Sequence, residues 1–314
     1  MNQPTALGGS RTLLKLTLLI PFFLASALHL STLFRVFAAL PLVYAHLRFG
    51  RLLGMLCSLT NLGIVWAISG RTDAAWFFVI AIVLSTTFAE CIKLKLKLEW
   101  IVLYSISTML FVSSLLLVSF AHKVQNHPLQ ILRTYISGQV DEFTKNAEKY
   151  KATATVSSQD LEKVLVDPEV TKQNLFEALP SVVAIVLFFI VITNLLVLLR
   201  LNFQGSQETL GLKTDFFKHW KSPDHMVWLT LVVGFCLVVE IPTISMIALN
   251  LFRILMAVYV LHGIAILNYF LDIWKIKGFI RPLGYLLAVT FLLPFIASLG
   301  FFDLWFKFRE KIKI

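Results

Sequence analysis

Charge is scarce in this chain. Only 15% of its 314 residues are Asp, Glu, Lys or Arg, while 58% are hydrophobic, and the mean hydropathy is +0.80. Soluble domains use about 25% charged and 45 to 50% apolar residues, so a water-exposed globule is excluded and lipid is the expected solvent. Cysteine is scarcer still. Cys57, Cys91 and Cys236 are isolated within or at the ends of apolar runs, odd in number and without C-x-x-C spacing, which excludes a disulfide framework and a thiolate metal site. Catalytic signatures are missing too: the chain has no H-E-x-x-H, no G-x-S-x-G, no phosphate-binding G-x-x-x-x-G-K-[ST] loop and no G-x-G-x-x-G opening a helix. No enzyme activity, cofactor or metal is therefore expected.

What the chain has is long apolar runs. A helix needs roughly 20 apolar residues to cross about 30 Å of hydrocarbon, and the runs here are too long and unbroken for barrel strands. The expected class is all-α, a polytopic transmembrane helix bundle of 8 to 9 spans. Expected spans are Leu13–Leu33, Leu52–Ser69, Ala74–Ile92, Trp100–Ala121, Leu179–Leu199, Val227–Ile241, Ile247–Leu271 and Leu283–Phe302. Val36–Leu47 leaves the count open. Its 12 residues, bounded by Arg35 and Arg48, reach only about 18 Å as a helix, so it reads as a short tilted span, a re-entrant piece or part of a helix bent at Pro41. The first run reads as a retained span rather than a cleaved signal peptide, because its core is long and more helices follow at once.

Three sections follow from this pattern: N-terminal transmembrane segments over 1–121, a soluble helical insert over 122–178, and C-terminal transmembrane segments over 179–314. In the insert, Leu129, Leu132, Ile136, Val140 and Phe143 recur at three and four residues, an amphipathic helix. Ser157 or Ser158 reads as the N-cap of a second helix, interrupted by Pro168.

The net charge of +10 does not point to nucleic acid, because Lys and Arg are dispersed among short loops beside apolar segments. They read as orientation signals, with anionic lipid headgroups as their partner. A cytoplasmic N-terminus and nine spans place Arg48, Arg51, the Lys93–Lys97 cluster, Arg200 to Lys221, and Lys275 to Arg281 inside. The same model puts Lys307, Arg309, Lys311 and Lys313 outside, against the rule that cytoplasmic loops are basic. The tryptophans at 66, 76, 100, 220, 228, 274 and 305 fall near span ends, where indoles sit at headgroups.

The richest segment for function is the apolar hairpin from Met226 to Asp272, which carries Glu240, Asn250, Arg253, His262, Asn268 and Asp272. Charged groups in a bilayer cost roughly 2.5 to 3.5 kcal/mol each, so they pair or line a cavity. Pro242 with Thr243 and Ser245 is the expected turn. Glu240 and Arg253 then face each other across it, either as a structural ion pair or as part of a binding cavity. At about 100° per residue, Asn250, Asn268 and Asp272 fall within about 40° of one another, with Arg253 about 60° to the other side. His262 and Tyr269 share an adjacent face, where His262 either bonds a neighbouring helix or serves as a relay or ligand contact. Asn250, Arg253, His262, Asn268 and Asp272 are the candidate ligand-binding residues.

In the C-terminal half, Ser222-Pro223 leading to Trp228, Ala248-Leu249-Asn250-Leu251, His262-Gly263-Ile264-Ala265 and the closing Gly300-Phe301-Phe302-Asp303-Leu304-Trp305-Phe306-Lys307-Phe308-Arg309 resemble the YybS-like family of bacterial membrane proteins. The resemblance runs mostly from Lys218 to Lys311. It implies a multi-pass protein of the bacterial inner membrane, distantly similar to the substrate-binding subunits of energy-coupling-factor vitamin importers. Asn250, Gly263, Asp303 and Arg309 are the positions that match, without an assigned role. Two functions are thus expected as alternatives: binding or moving a small molecule, or anchoring a membrane protein partner.

Overall fold

A computed structural model describes residues 20–151, 167–201, 216–239, 241–276 and 278–311. Among them all regular structure is helical. In chain order the helices are α1 (Ile20–Leu30), α2 (Ala39–Arg48), α3 (Gly50–Lys93), α4 (Leu98–Val124), α5 (Pro128–Lys151), α6 (Pro168–Leu201), α7 (Phe216–His219), α8 (His225–Val238), α9 (Pro242–Ile273), α10 (Ile280–Phe291), α11 (Leu293–Phe306) and α12 (Phe308–Lys311). Four of these, α3, α4, α6 and α9, are long and apolar enough to cross a membrane, and α10 with α11 makes a fifth candidate if the pair is one span. The start of the first expected span, the second insert helix after Ser157 or Ser158, and Glu240 lie outside the described residues.

The chain forms two compact units, Met1–Leu116 with Val186–Thr214, and Leu117–Ile185 with Asp215–Ile314. In the first, α3 folds back on itself. Thirty-nine residues of straight helix would hold Arg51 and Glu90 about 58 Å apart, yet Arg51 Nε donates to Glu90 Oε1 at 2.9 Å. The reversal occurs at Gly70, whose φ of +81° and ψ of −172° suit a residue without Cβ. Both expected spans, Leu52–Ser69 and Ala74–Ile92, thus lie on the two arms of one hairpin. The ambiguous segment becomes a 3₁₀ turn (Arg35–Ala38) and α2, about 15 Å long and buried along most of its length against α3. Asn61 ties α1 to this hairpin, accepting from Ser26 N at 2.7 Å and donating to Pro21 O at 2.9 Å.

In the second unit, α6 begins at Pro168 rather than being interrupted there. A proline at the first helical position gives up an N–H that has no intrahelical partner anyway, and the Asp167 carboxylate caps the turn by accepting from Val170 N at 3.1 Å. Lys172 joins α6 to α5 through Asp141 at 2.9 Å, and Arg133 lies over the Phe176 ring at 4.6 Å. The helix then runs through residue 178 without a break.

Helix α9 is the axis of this unit, packed by α8, α11 and α7. Extended backbone at Val239 and Ile241, followed by Pro242 at the start of α9, makes the α8–α9 turn, and Ser245 Oγ closes it on Val239 O at 2.9 Å. The last expected span, Leu283–Phe302, is instead two helices bent by 96°. Pro294 explains the break, since it has no N–H and its ring opposes the preceding turn. Both ends of the pair return to one end of α9. Arg281, opening α10, reaches Asp272 at 2.7 Å; Arg309, beyond α11, donates to the carbonyls of Lys218 and Trp220 at 3.1 and 3.0 Å; and Lys218 Nζ itself reaches Asp272 at 3.2 Å.

Candidate functional site

Backbones of α9 and α11 meet at two glycines. A Cβ on Gly263 would stand 2.0 Å from Ile296 O, and one on Gly300 would stand 2.1 Å from Tyr259 O. Small residues permit this approach between membrane helices, where packing rather than the hydrophobic effect holds helices together. The Gly263 position thus has a physical role, and so does its partner in the closing motif.

This crossing delivers Asp303 to His262. Both are buried, and His262 Nε2 lies 3.2 Å from Asp303 Oδ2. Lys307 takes a left-handed conformation (φ 46°) that ends α11 and turns the chain back, so that Asp303 Oδ1 accepts from Phe308 N at 2.9 Å while Oδ2 accepts from Arg309 Nη2 at 3.0 Å. The same Nη2 lies 3.0 Å from His262 Nε2, and Ser222 Oγ lies 3.1 Å from Nδ1. With Nδ1–H pointed at Ser222, Nε2 accepts from Arg309; in the other tautomer Nε2–H donates to Asp303. One anion faces one guanidinium, and Arg309 Nη1 donates to the Lys218 and Trp220 carbonyls, so the buried charges are compensated.

A serine, a histidine and an aspartate in contact have the composition of a nucleophilic triad. Here Ser222 is only 5% exposed, and a guanidinium occupies the side of the ring where the carboxylate sits. A nucleophile must be reachable by its electrophile. The arrangement is instead a polar lock that joins α9, α11 and the chain before α8.

Asn250, Asn268 and Asp272 each have their own partners. Asn250 Oδ1 accepts from Ser181 N at 3.1 Å and its Nδ2 donates to Glu177 O at 2.9 Å. These are the i and i−4 groups of one helical turn of α6 containing Pro180, so Asn250 fills the gap that the proline leaves in the helix ladder. Asn268 Oδ1 accepts from Arg281 and from Tyr285 OH, the latter at 2.8 Å. Asp272 pairs with Arg281 and Lys218. Arg253 is half-buried and makes no hydrogen bond or ion pair among the described residues, and Glu240, its expected partner, lies outside them. Sequence reasoning missed Ser222, Lys218, Arg281 and Tyr285 as partners. Only the Pro180 gap left a signal, since a proline inside an apolar run demands a polar group nearby.

Beside the lock, α8, α9 and α11 enclose an apolar groove of about 810 Å³. Gly234, Phe235, Phe252, Met256, Ala297 and Phe301 shape it. Its polar lining groups are committed elsewhere: Thr230 Oγ1 donates to Met226 O at 2.8 Å and Ser298 Oγ to Pro294 O at 2.9 Å.

The family described as Predicted membrane protein (DUF2232) matches this chain over residues 14–304. No curated protein and no solved structure matches it.

Proposed function

The chain belongs to the DUF2232 family of predicted membrane proteins, and from that premise we propose that it is a non-enzymatic multi-pass protein that binds a small apolar molecule in the α8–α9–α11 groove and helps move it. The groove carries this reading. Its lining offers no free polar group, so it suits hydrocarbon, whereas the polar residues of α9 hold helices together. Such a role accords with the resemblance to substrate-binding subunits of energy-coupling-factor importers in the bacterial inner membrane. Gly234 provides the test. A Cβ there meets nothing within 4 Å, so Gly234→Leu fills the groove without a backbone clash. The substitution also replaces a poor helix former, by about 0.8 to 1 kcal/mol relative to alanine. Purified Gly234→Leu should melt no lower than wild type yet lose the thermal shift given by long-chain alcohols, and an undiminished shift would refute the groove.

A second reading, a scaffold for a protein partner, is favoured by the uncovered apolar side chains of the insert, Leu129, Tyr135 and Phe143 on α5 and Val170 and Leu175 on α6. Stoichiometric protein crosslinking through α5, with no ligand shift, would select it.

The topology we propose has α3 crossing twice, once per arm of the Gly70 hairpin, and the α10–α11 pair entering and leaving by the same face. Both ends of that pair are tied through Lys218 and Asp272, whereas the ends of a crossing span would lie about 30 Å apart. Lys218, Lys221, Lys275, Arg281, Lys307, Arg309 and Lys311 then share one membrane face, and the basic rule makes it cytoplasmic. The re-entrant pair removes the crossing that had put the basic tail outside. Reporter fusions after Gly278 and after Ile314 should both report cytoplasm, while opposite sides would mean that the pair crosses.

A further inference from the structure

We infer that the first unit carries a proton path, running inside the α3 hairpin from the Arg51–Glu90 pair at one membrane face to the Arg35–Asp73 pair at the other, with His46 and His29 as its relays. This rests on the reading of α3 as two crossings and is independent of the groove. From Gly50 to Gly70 the first arm rises about 30 Å, the thickness of the hydrocarbon, and its Leu52, Leu56 and Leu59 are exposed as lipid-facing residues should be. The side chains of Glu90 and Asp73, 36% and 32% exposed, open the two ends. Between these ends the buried polar groups fall in one row. His46 packs on Gly54, where a Cβ would meet its ring at 2.6 Å. Ser58 and Asn61 follow Gly54 along α3, all three within about 60° of one another at about 100° per residue. Asn61 Oδ1 accepts from Ser26 N of α1 at 2.7 Å, and His29 follows Ser26 by about one turn. Its ring stands edge-on to Phe77 at 5.0 Å and beside the backbone of Asp73. The charged groups that face the two rings are those of the ends: Glu90 and Lys93 for His46, Arg35 and Asp73 for His29.

Along this row the protein leaves hydrogen-bonding capacity unused. His29 Nδ1 and Nε2, His46 Nε2 and Ser58 Oγ are buried without a hydrogen-bond partner among the described residues. Ser105, Ser113 and Ser114 each donate to the carbonyl four residues back in their own helix, but Ser58 does not. Leaving such groups unpaired in the interior is costly, and bridging water is the usual remedy. Titratable groups joined by water inside a membrane bundle make a proton relay. With Nδ1–H donated to Leu42 O at 2.9 Å, His46 keeps Nε2 bare to take up a proton and return it. His29 has both nitrogens open, so it accepts a proton on one and releases one from the other.

The test uses the full chain in liposomes of phosphatidylcholine and phosphatidylglycerol that enclose a pH-sensitive dye, with a potassium gradient and valinomycin setting the driving potential. Wild type should acidify the lumen faster than protein-free vesicles do. His29→Gln and His46→Gln should each lose that excess, because an amide bonds water but does not titrate. Ser58→Ala, which leaves room for water, should slow the flux only in part. Melting temperatures near that of wild type identify the variants that fold, and the wild-type rate decides the matter even where a variant does not. A wild-type rate equal to that of empty vesicles, or a full rate in folded His29→Gln, overturns the path and leaves the hairpin standing. Arg71→Cys and Lys95→Cys, labelled with an impermeant maleimide in sealed vesicles, should react from opposite faces. Reaction from the same face would overturn the double crossing itself.

Discussion

Alanine at Gly300 or at Gly263 should destabilise the protein by roughly 3 kcal/mol, the upper end of the usual cost of overpacking. Flexible side chains can step aside for a new methyl group, but here each Cβ would meet a backbone carbonyl oxygen at about 2 Å. Relief requires the two helices to move apart by more than an ångström, and every contact along their crossing weakens together. Asp303 would retreat from His262 in the same movement. Gly284 provides the control, because a Cβ there meets nothing within 4 Å and Gly284→Ala should be neutral or stabilising by up to about 1 kcal/mol. Thermal denaturation in detergent micelles compares the three variants, and equal melting temperatures would show that the helices are not in close contact.

Asp303→Asn should cost about 3 to 5 kcal/mol, the range for breaking a buried ion pair by removing one partner. The amide keeps an acceptor for Phe308 N but cannot neutralise Arg309, whose guanidinium is largely buried against His262 and two carbonyls. That penalty belongs to the unpaired charge rather than to the lost contact. Removing the charge as well, in Asp303→Asn with Arg309→Met, should therefore recover roughly half of the loss, a coupling that denaturation of the two single variants and the double variant measures directly. Full additivity of the two single losses would show that Asp303 and Arg309 act independently.

Much of the helical frame was legible in the sequence, because the length and hydropathy of a run are local properties. Both arms of α3, the long α4, α6 and α9, and the Pro242 turn fall where the apolar runs place them. The polar stripe was legible only as a set of residues that need partners. Periodicity puts Asn250, Asn268 and Asp272 on one side of α9, but it cannot show that Asn250 meets the Pro180 turn of α6 while the other two meet α10. Those partners lie up to 73 residues away in the chain. Hydropathy was equally blind to the 96° bend between α10 and α11. A re-entrant pair and a crossing span have the same composition, and Pro294 marks a bend without giving its angle.

The Lys218–Arg309 tie also orders the protein's assembly. Helix α9 ends thirty residues before Asp303, so His262 is made before its Asp303 and Arg309 partners. The unit closes only when Asp303 and Arg309 turn back to meet it. Residues 303–309 therefore act as a latch that the chain engages only after α8 and α9 have been made.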